Sequence, residues 1–85
     1  MEKQEIGKVS HYFGGPSVAA IELSGKLKVG DRISIVGHTT DLEMVVESMQ
    51  IEHAAVQSAK VGDKIGVQVV DHAREHDQVY RVTPD

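Results

Sequence analysis

The sequence predicts an all-β domain, a small closed antiparallel barrel of six to seven strands with Greek-key-like connections. The 85-residue chain contains thirteen Val and six Ile but three Leu, and β-branched side chains favour strands over helices. Short apolar segments alternate with turn-forming residues at intervals of about 8–12 residues, a spacing typical of barrels and sandwiches. A barrel is favoured over a sandwich because closure removes sheet edges that a short chain cannot cover.

Six segments have the alternation or the β-branched composition of strands: 5–12, 18–23, 32–37, 41–51, 64–70 and 78–82. The turn-forming residues Phe13–Ser17 join the first two as a hairpin. Within 41–51 the apolar positions change parity, which indicates a β-bulge near Glu47 and Ser48 or a strand buried on both faces. The stretch 52–59 is the one segment compatible with a helix, and it is equally compatible with a loop.

The composition excludes several classes of protein. The absence of Cys rules out disulfides and thiolate metal sites. No apolar run approaches the roughly 20 residues of a membrane-spanning helix, and no apolar stretch follows the charged start as in a signal peptide. We therefore expect a cytoplasmic protein with no membrane partner. One domain is expected over 6–82, with a flexible N-terminus at 1–5 and a C-terminal tail at 83–85.

One short sequence occurs twice. Lys-Val-Gly-Asp appears at two positions 32 residues apart, and in each copy a basic residue and Ile follow. We expect both copies to form the same turn, in which Gly adopts a positive φ and Asp hydrogen-bonds to nearby backbone. The structural turn residues are therefore Gly30, Asp31, Gly62 and Asp63.

These turns belong to a longer ordered pattern that extends over residues 6–82. Its parts are Ile6-Gly7-Lys8-Val9, Val18 to Ile21, Gly25 with Leu27 to Asp31 and Ile33, Val46 with Ser48-Met49, and Val56 with Ala59, Gly62-Asp63 and Ile65-Gly66. The pattern resembles domain 2 of translational GTPases such as elongation factor Tu, which is a small closed barrel. Similar barrels also occur as C-terminal accessory domains of unrelated enzymes, including a class of bacterial collagenase-like peptidases. The chain departs from the family pattern at His76, where Gly is usual before the Asp of the final turn.

Catalytic and metal-binding constellations are not indicated. The chain has no phosphate-binding loop of the GTPase type, so we expect neither bound nucleotide nor GTP hydrolysis. Ser10 and His11 are neighbours on a predicted strand and point to opposite faces, which prevents a catalytic dyad. His72 and His76 have the spacing of a helical metal site but lie in a short polar connection. We predict no catalytic residue, no metal and no cofactor.

A non-catalytic binding module remains, with two candidate functions. The resemblance implies contact with RNA or with a ribosomal or translation-factor surface. The candidate residues are Tyr12 and Phe13, whose rings can stack on a ligand or instead pack the barrel end, and the basic Lys26, Lys28 and Arg32. The net charge of −4 weighs against nucleic acid. The alternative is a protein-interaction subunit, or an accessory barrel that completes a larger enzyme in trans.

Overall fold

The structure, a computed structural model, describes residues 2–83. These residues form ten strands and no helix, so none of them contributes to a helix that could cross a membrane. The strands are β1 (Glu2–Phe13), β2 (Val18–Leu23), β3 (Leu27–Lys28), β4 (Arg32–Val36), β5 (Asp41–Val45), β6 (Met49–Ile51), β7 (Ala54–Val56), β8 (Ser58–Ala59), β9 (Lys64–Gln68) and β10 (Gln78–Thr83). The all-β prediction is confirmed for this part of the chain.

Eight strands form one antiparallel sheet in the order β5-β4-β10-β1-β2-β9-β6-β7. The long strand β1 lies near its centre, because its first half pairs with β10 and its second half with β2. β1 and β2 form the expected hairpin, with Phe13 opposite Val18. At the other end of β1, Glu2 pairs with Thr83, so the first and last described residues are neighbours in the sheet.

β1 carries two irregularities that bend it. The register shifts between Glu5 and Gly7 against β10 and between Val9 and His11 against β2. An extra residue on one strand increases local twist and curvature, which lets one strand take part in both halves of the sheet. Gly7 lies at the first shift, where an added Cβ would come 2.6 Å from the backbone oxygen of Glu22. The approach of β2 to β1 therefore requires glycine there.

A second, two-stranded ladder of β3 and β8 covers part of the same apolar core. Leu27 pairs with Ala59 across this ladder, and both side chains are buried in one contiguous cluster with core residues of the large sheet such as Ile21, Ile33 and Ile65. Alternate residues of a strand point to opposite faces. Burial of Leu27 and Ala59 therefore turns the residues on either side of them toward solvent.

The prediction of a closed barrel is wrong. The strand order begins at β5 and ends at β7, and no ladder within residues 2–83 joins these two strands. The reason lies after β5, where the chain leaves the strand. The Val46 amide donates to the Asp31 carbonyl at 2.8 Å, and the Val46 carbonyl accepts from the Gly30 amide at 2.9 Å. These bonds extend the β4–β5 pairing by one step toward the turn at Gly30 and Asp31. The chain then leaves the sheet through residues 46–48, so the outer edge of β5 has no strand partner within residues 2–83.

Several predicted elements differ locally from the observed strands. The segment 41–51 is not one bulged strand, because residues 46–48 separate β5 from β6. The stretch 52–59 is neither helix nor loop but contains β7 and β8. Residues 2–5, placed in the N-terminal segment by the sequence, lie in β1. Of the predicted tail, Thr83 ends β10, and residues 84–85 lie outside the described chain.

Candidate functional site

The two Lys-Val-Gly-Asp sequences form the same turn. Gly30 and Gly62 have φ values of 99° and 92°, in the left-handed region that favours glycine. The Asp31 carboxylate accepts a hydrogen bond from the Lys28 amide at 3.0 Å, and the Asp63 carboxylate accepts one from the Lys60 amide at 2.9 Å. Each turn is also closed by the Asp amide, which donates to the carbonyl of the Lys at 3.1 and 3.0 Å, respectively. Each turn is therefore closed by two hydrogen bonds.

A third turn of this kind lies at residues 74–77. The Asp77 carboxylate accepts from the Arg74 amide at 2.8 Å, and the Asp77 amide donates to the Arg74 carbonyl at 3.2 Å. His76 takes the place of the glycine and has a φ of 74°. The departure from the family pattern at His76 thus leaves the turn intact, with a non-glycine residue in a strained conformation.

The first two turns flank a cleft of about 530 Å³ beside the β3–β8 ladder. Each turn begins at or just after one ladder strand, and the strands are antiparallel, so the turns emerge at opposite ends of the ladder. We call this cavity the lysine cleft. Its lining residues are Lys26, Leu27, Lys28, Asp31, Ser58, Ala59, Lys60, Asp63 and Arg81.

Strand alternation explains why lysines gather there. Lys26 and Lys28 flank the buried Leu27, and Lys60 follows the buried Ala59, so all three lysines are exposed on the face opposite the core. The ladder pairs Leu27 with Ala59 and Lys28 with Ser58. Lys26 and Lys60 therefore adjoin the same end of the ladder, next to the Leu27–Ala59 pair.

Arg81 of β10 adds a fourth positive charge. One of its terminal nitrogens, Nη2, donates to Gln4 Oε1 at 3.2 Å. Its Nε is buried and has no hydrogen-bond partner within the described residues. The lysine cleft therefore contains four basic and two acidic side chains, a net charge of +2 in a chain whose net charge is −4.

The structure brings together part of the predicted basic set. Lys26 and Lys28 line the lysine cleft, but Arg32 does not. The Arg32 guanidinium forms an ion pair with Glu43 of the neighbouring strand β5 at 3.2 Å. Sequence reasoning did not single out Lys60 or Arg81. The repeated sequence could have indicated Lys60, because Lys60 is the counterpart of Lys28 in the second copy. No local sequence pattern indicates Arg81, which reaches the cleft through the pairing of β10.

The predicted aromatic pair lies elsewhere and its two rings have different environments. Tyr12 is half-buried, and its ring lies 4.4 Å from that of His72. Phe13 is 48% exposed, and its ring meets that of His11 edge-on at 4.4 Å. Phe13 also lines an apolar groove with Pro16 that shares no residue with the lysine cleft. The two predicted binding elements are therefore separate surfaces.

Three of the five histidines, His11, His72 and His76, lie on β1 or in the connection between β9 and β10. His11 Nδ1 lies 3.1 Å from Glu75 Oε1, and the His72 ring is tilted by 56° from that of Tyr12. Within residues 2–83 no group of three His, Cys, Asp or Glu side chains has the arrangement of a metal site.

The fold matches a domain of known structure. Two crystal structures of the C-terminal domain of a Geobacillus thermoleovorans protein, described as a U32 peptidase, superpose with TM-scores of 0.85 and 0.86 at 15% sequence identity. The matches cover 89% and 92% of this chain and 96% and 91% of the two solved chains. At this identity the similarity establishes the architecture alone, and any function must be argued from the side chains.

Curated relatives are proteins named as proteases. The chain is 49% identical over 79 residues to an uncharacterised protease of Methanocaldococcus jannaschii, covering 92% of this chain and 19% of the relative. It is 37% identical over 82 residues to a collagenase of Porphyromonas gingivalis, covering 94% of this chain and 23% of the relative. The chain thus spans about a fifth of the length of these relatives. No family model matches it.

The resemblance to domain 2 of elongation factor Tu is therefore wrong, and so is the function in translation that it implied. The matched proteins are named as proteases, a collagenase and a U32 peptidase domain. The motifs that carried the resemblance, above all the Gly-Asp turns around Gly30 and Gly62, are hydrogen-bonded connections. Such connections report on backbone geometry and are shared by proteins of unrelated function.

Proposed function

We propose that this chain is a non-catalytic accessory domain that provides a protein-binding surface to a protease-type protein. The observation that carries the proposal is the coverage of the Methanocaldococcus jannaschii relative. Nearly all of this chain, 92%, aligns at 49% identity with only 19% of a protein named as a protease. A segment of that size corresponds to one domain within a larger chain.

The side chains support a binding role. Four basic side chains lie together in the lysine cleft, which is flanked by two hydrogen-bonded turns. Clustered basic groups attract acidic partners, whereas hydrolysis requires a nucleophile with a base or a poised pair of carboxylates. Ser10, one of the candidate nucleophiles, donates to the Ala20 carbonyl at 3.2 Å rather than to a histidine.

The Porphyromonas gingivalis collagenase offers a direct test. Three enzymes are compared: the intact collagenase, a deletion that lacks the matched 82 residues, and a chimera that carries this chain in their place. We expect the deletion to raise KM for collagen while kcat/KM for a short fluorogenic peptide stays within about twofold, since a remote binding surface contributes uniform binding energy. The chimera is expected to recover part of the lost affinity.

The isolated 85-residue chain serves as the control for catalysis. It should not hydrolyse either substrate at concentrations well above those of the enzyme. Turnover by the isolated chain would contradict the non-catalytic assignment. A deletion with unchanged KM for collagen would contradict the binding assignment. Addition of the chain in trans to the deletion tests whether covalent linkage is required.

A further inference from the structure

We propose that the lysine cleft binds an acidic peptide segment of a partner protein, with carboxylates two residues apart seated against Lys26, Lys28 and Lys60. The inference deepens the proposed function and rests on it in one respect, that the partner is a protein. It names the surface and the chemistry of the segment that the surface recognises.

The first argument is the juxtaposition of like charges. Lys26 precedes Leu27 and Lys60 follows its partner Ala59, so both lysines adjoin the same end of the ladder and line the cleft, and like charges brought close together repel. The ion pairs within residues 2–83 are His11–Glu75 and Arg32–Glu43, and neither involves these lysines. An arrangement that costs stability in the free chain is relieved when an anion binds between the ammonium groups.

The acidic residues of the cleft are already engaged in the turns. Asp31 and Asp63 accept hydrogen bonds from the amides of Lys28 and Lys60, at the start of each turn. The backbone thus holds one oxygen of each carboxylate within its own turn. Arg81 lines the same cleft and adds positive charge to it.

The spacing of the lysines selects an extended peptide. Lys26 and Lys28 are two residues apart on an extended segment, about 6.6 Å at the usual rise of a strand. Carboxylates at alternate positions of an extended peptide have the same separation and lie on one face. A sequence of the form Glu-Xaa-Glu therefore presents its charges in register with the cleft, and the buried Leu27 and Ala59 between the lysines provide a close-packed base.

The charge distribution favours a short acidic peptide over nucleic acid. The cleft has a net charge of +2 and the whole chain −4, so the remainder of the chain carries −6. A polyphosphate longer than the cleft would run along this negative surface, and affinity for nucleic acid depends on neutralising many phosphates at once. A peptide with two or three carboxylates fits within the cleft and avoids the repulsion.

The test uses the full chain and a fluorescein-labelled peptide, acetyl-Gly-Glu-Ser-Glu-Ser-Glu-Gly, in fluorescence anisotropy titrations at low ionic strength. The double variant K26Q/K60Q removes these two lysines of the cleft. The matched control K8Q/K64Q makes the same change in net charge at two exposed lysines outside the cleft. We expect the cleft variant to weaken binding about tenfold, as for the loss of two exposed charge pairs, and the control variant to weaken it less than about twofold.

A peptide with Gln in place of Glu and a single-stranded RNA of similar length complete the comparison. Equal weakening in both double variants, equal binding of the Gln peptide, or tighter binding of the RNA would each overturn the proposal. Thermal unfolding checks the variants, and K26Q/K60Q should be at least as stable as the parent chain, since it removes a repulsion. A lower unfolding temperature would refute the like-charge argument. An active collagenase chimera together with no peptide binding would reject this inference alone.

Discussion

Substitution of the glycine in either Gly-Asp turn measures the backbone strain that this turn would impose on another residue. Gly30 and Gly62 lie at φ values of 99° and 92°, and a Cβ added at either position would have no atom within 4 Å. Gly62→Ala therefore changes conformational energy without a steric clash. An L-residue in a left-handed conformation costs about 1–2 kcal/mol. The loss of chain entropy in the unfolded state offsets about 0.4–1 kcal/mol of this cost.

We expect Gly62→Ala to lower the free energy of unfolding by about 1 kcal/mol, or about 4–8 °C in Tm for a domain of this size. Urea denaturation followed by circular dichroism measures it. Gly15→Ala is the control, because Gly15 also has open space around its Cβ direction and is not among the positive-φ glycines. His76→Gly, at a φ of 74°, should shift stability in the opposite direction by up to about 1 kcal/mol. Equal stability of the Gly62→Ala and Gly15→Ala variants would refute the strain argument.

Three further tests concern two contacts and one hairpin turn. Gly37→Ala would place a Cβ against the Asp77 carboxylate and displace the carboxylate from its turn. We expect the free energy of unfolding, measured by urea denaturation, to fall by about 2 kcal/mol. An unchanged midpoint would contradict the contact. Glu52 and His53 form the two-residue turn between β6 and β7, with φ values of 50° and 66°. A type I′ turn favours Asn-Gly at these positions, so the double variant Glu52→Asn, His53→Gly should raise Tm. A lowered Tm would contradict the turn assignment. Asp63→Ala removes the acceptor of the Lys60 amide and should lower the free energy of unfolding by about 1 kcal/mol. Asp63→Asn keeps an acceptor oxygen and should retain most of the stability. Equal losses in both variants would show that this hydrogen bond does not stabilise the turn.

The local parts of the fold could be predicted because they depend on neighbouring residues. The Val and Ile content predicted strands, and the turn residues between Phe13 and Val18 predicted the first hairpin, which is present. Closure of the sheet could not be predicted, since it depends on whether the edge strands β5 and β7 pair with each other. They do not pair within residues 2–83, and such a long-range choice has no pattern in the local sequence.

The site was predicted in part for the same reason. Lys26 and Lys28 are close in sequence to a recognisable turn, and the sequence analysis predicted both as candidate binding residues. Lys60 joins them through the β3–β8 register, and Arg81 through the pairing of β10 within the large sheet. A repeat 32 residues apart indicates that two segments fold alike. It does not by itself indicate that the two segments are adjacent.

The three Asp-capped turns show how one backbone device can serve different roles. Each begins with a basic residue, Lys28, Lys60 or Arg74, whose amide is bonded by the Asp three positions later. Two of these turns flank a ladder whose strands direct lysines into a shared cleft. The third lies at the last connection, where the Asp77 carboxylate fills the space beside Gly37. The turn is therefore a property of the architecture, and the proposed binding chemistry depends on β3 and β8 bringing two of its copies together.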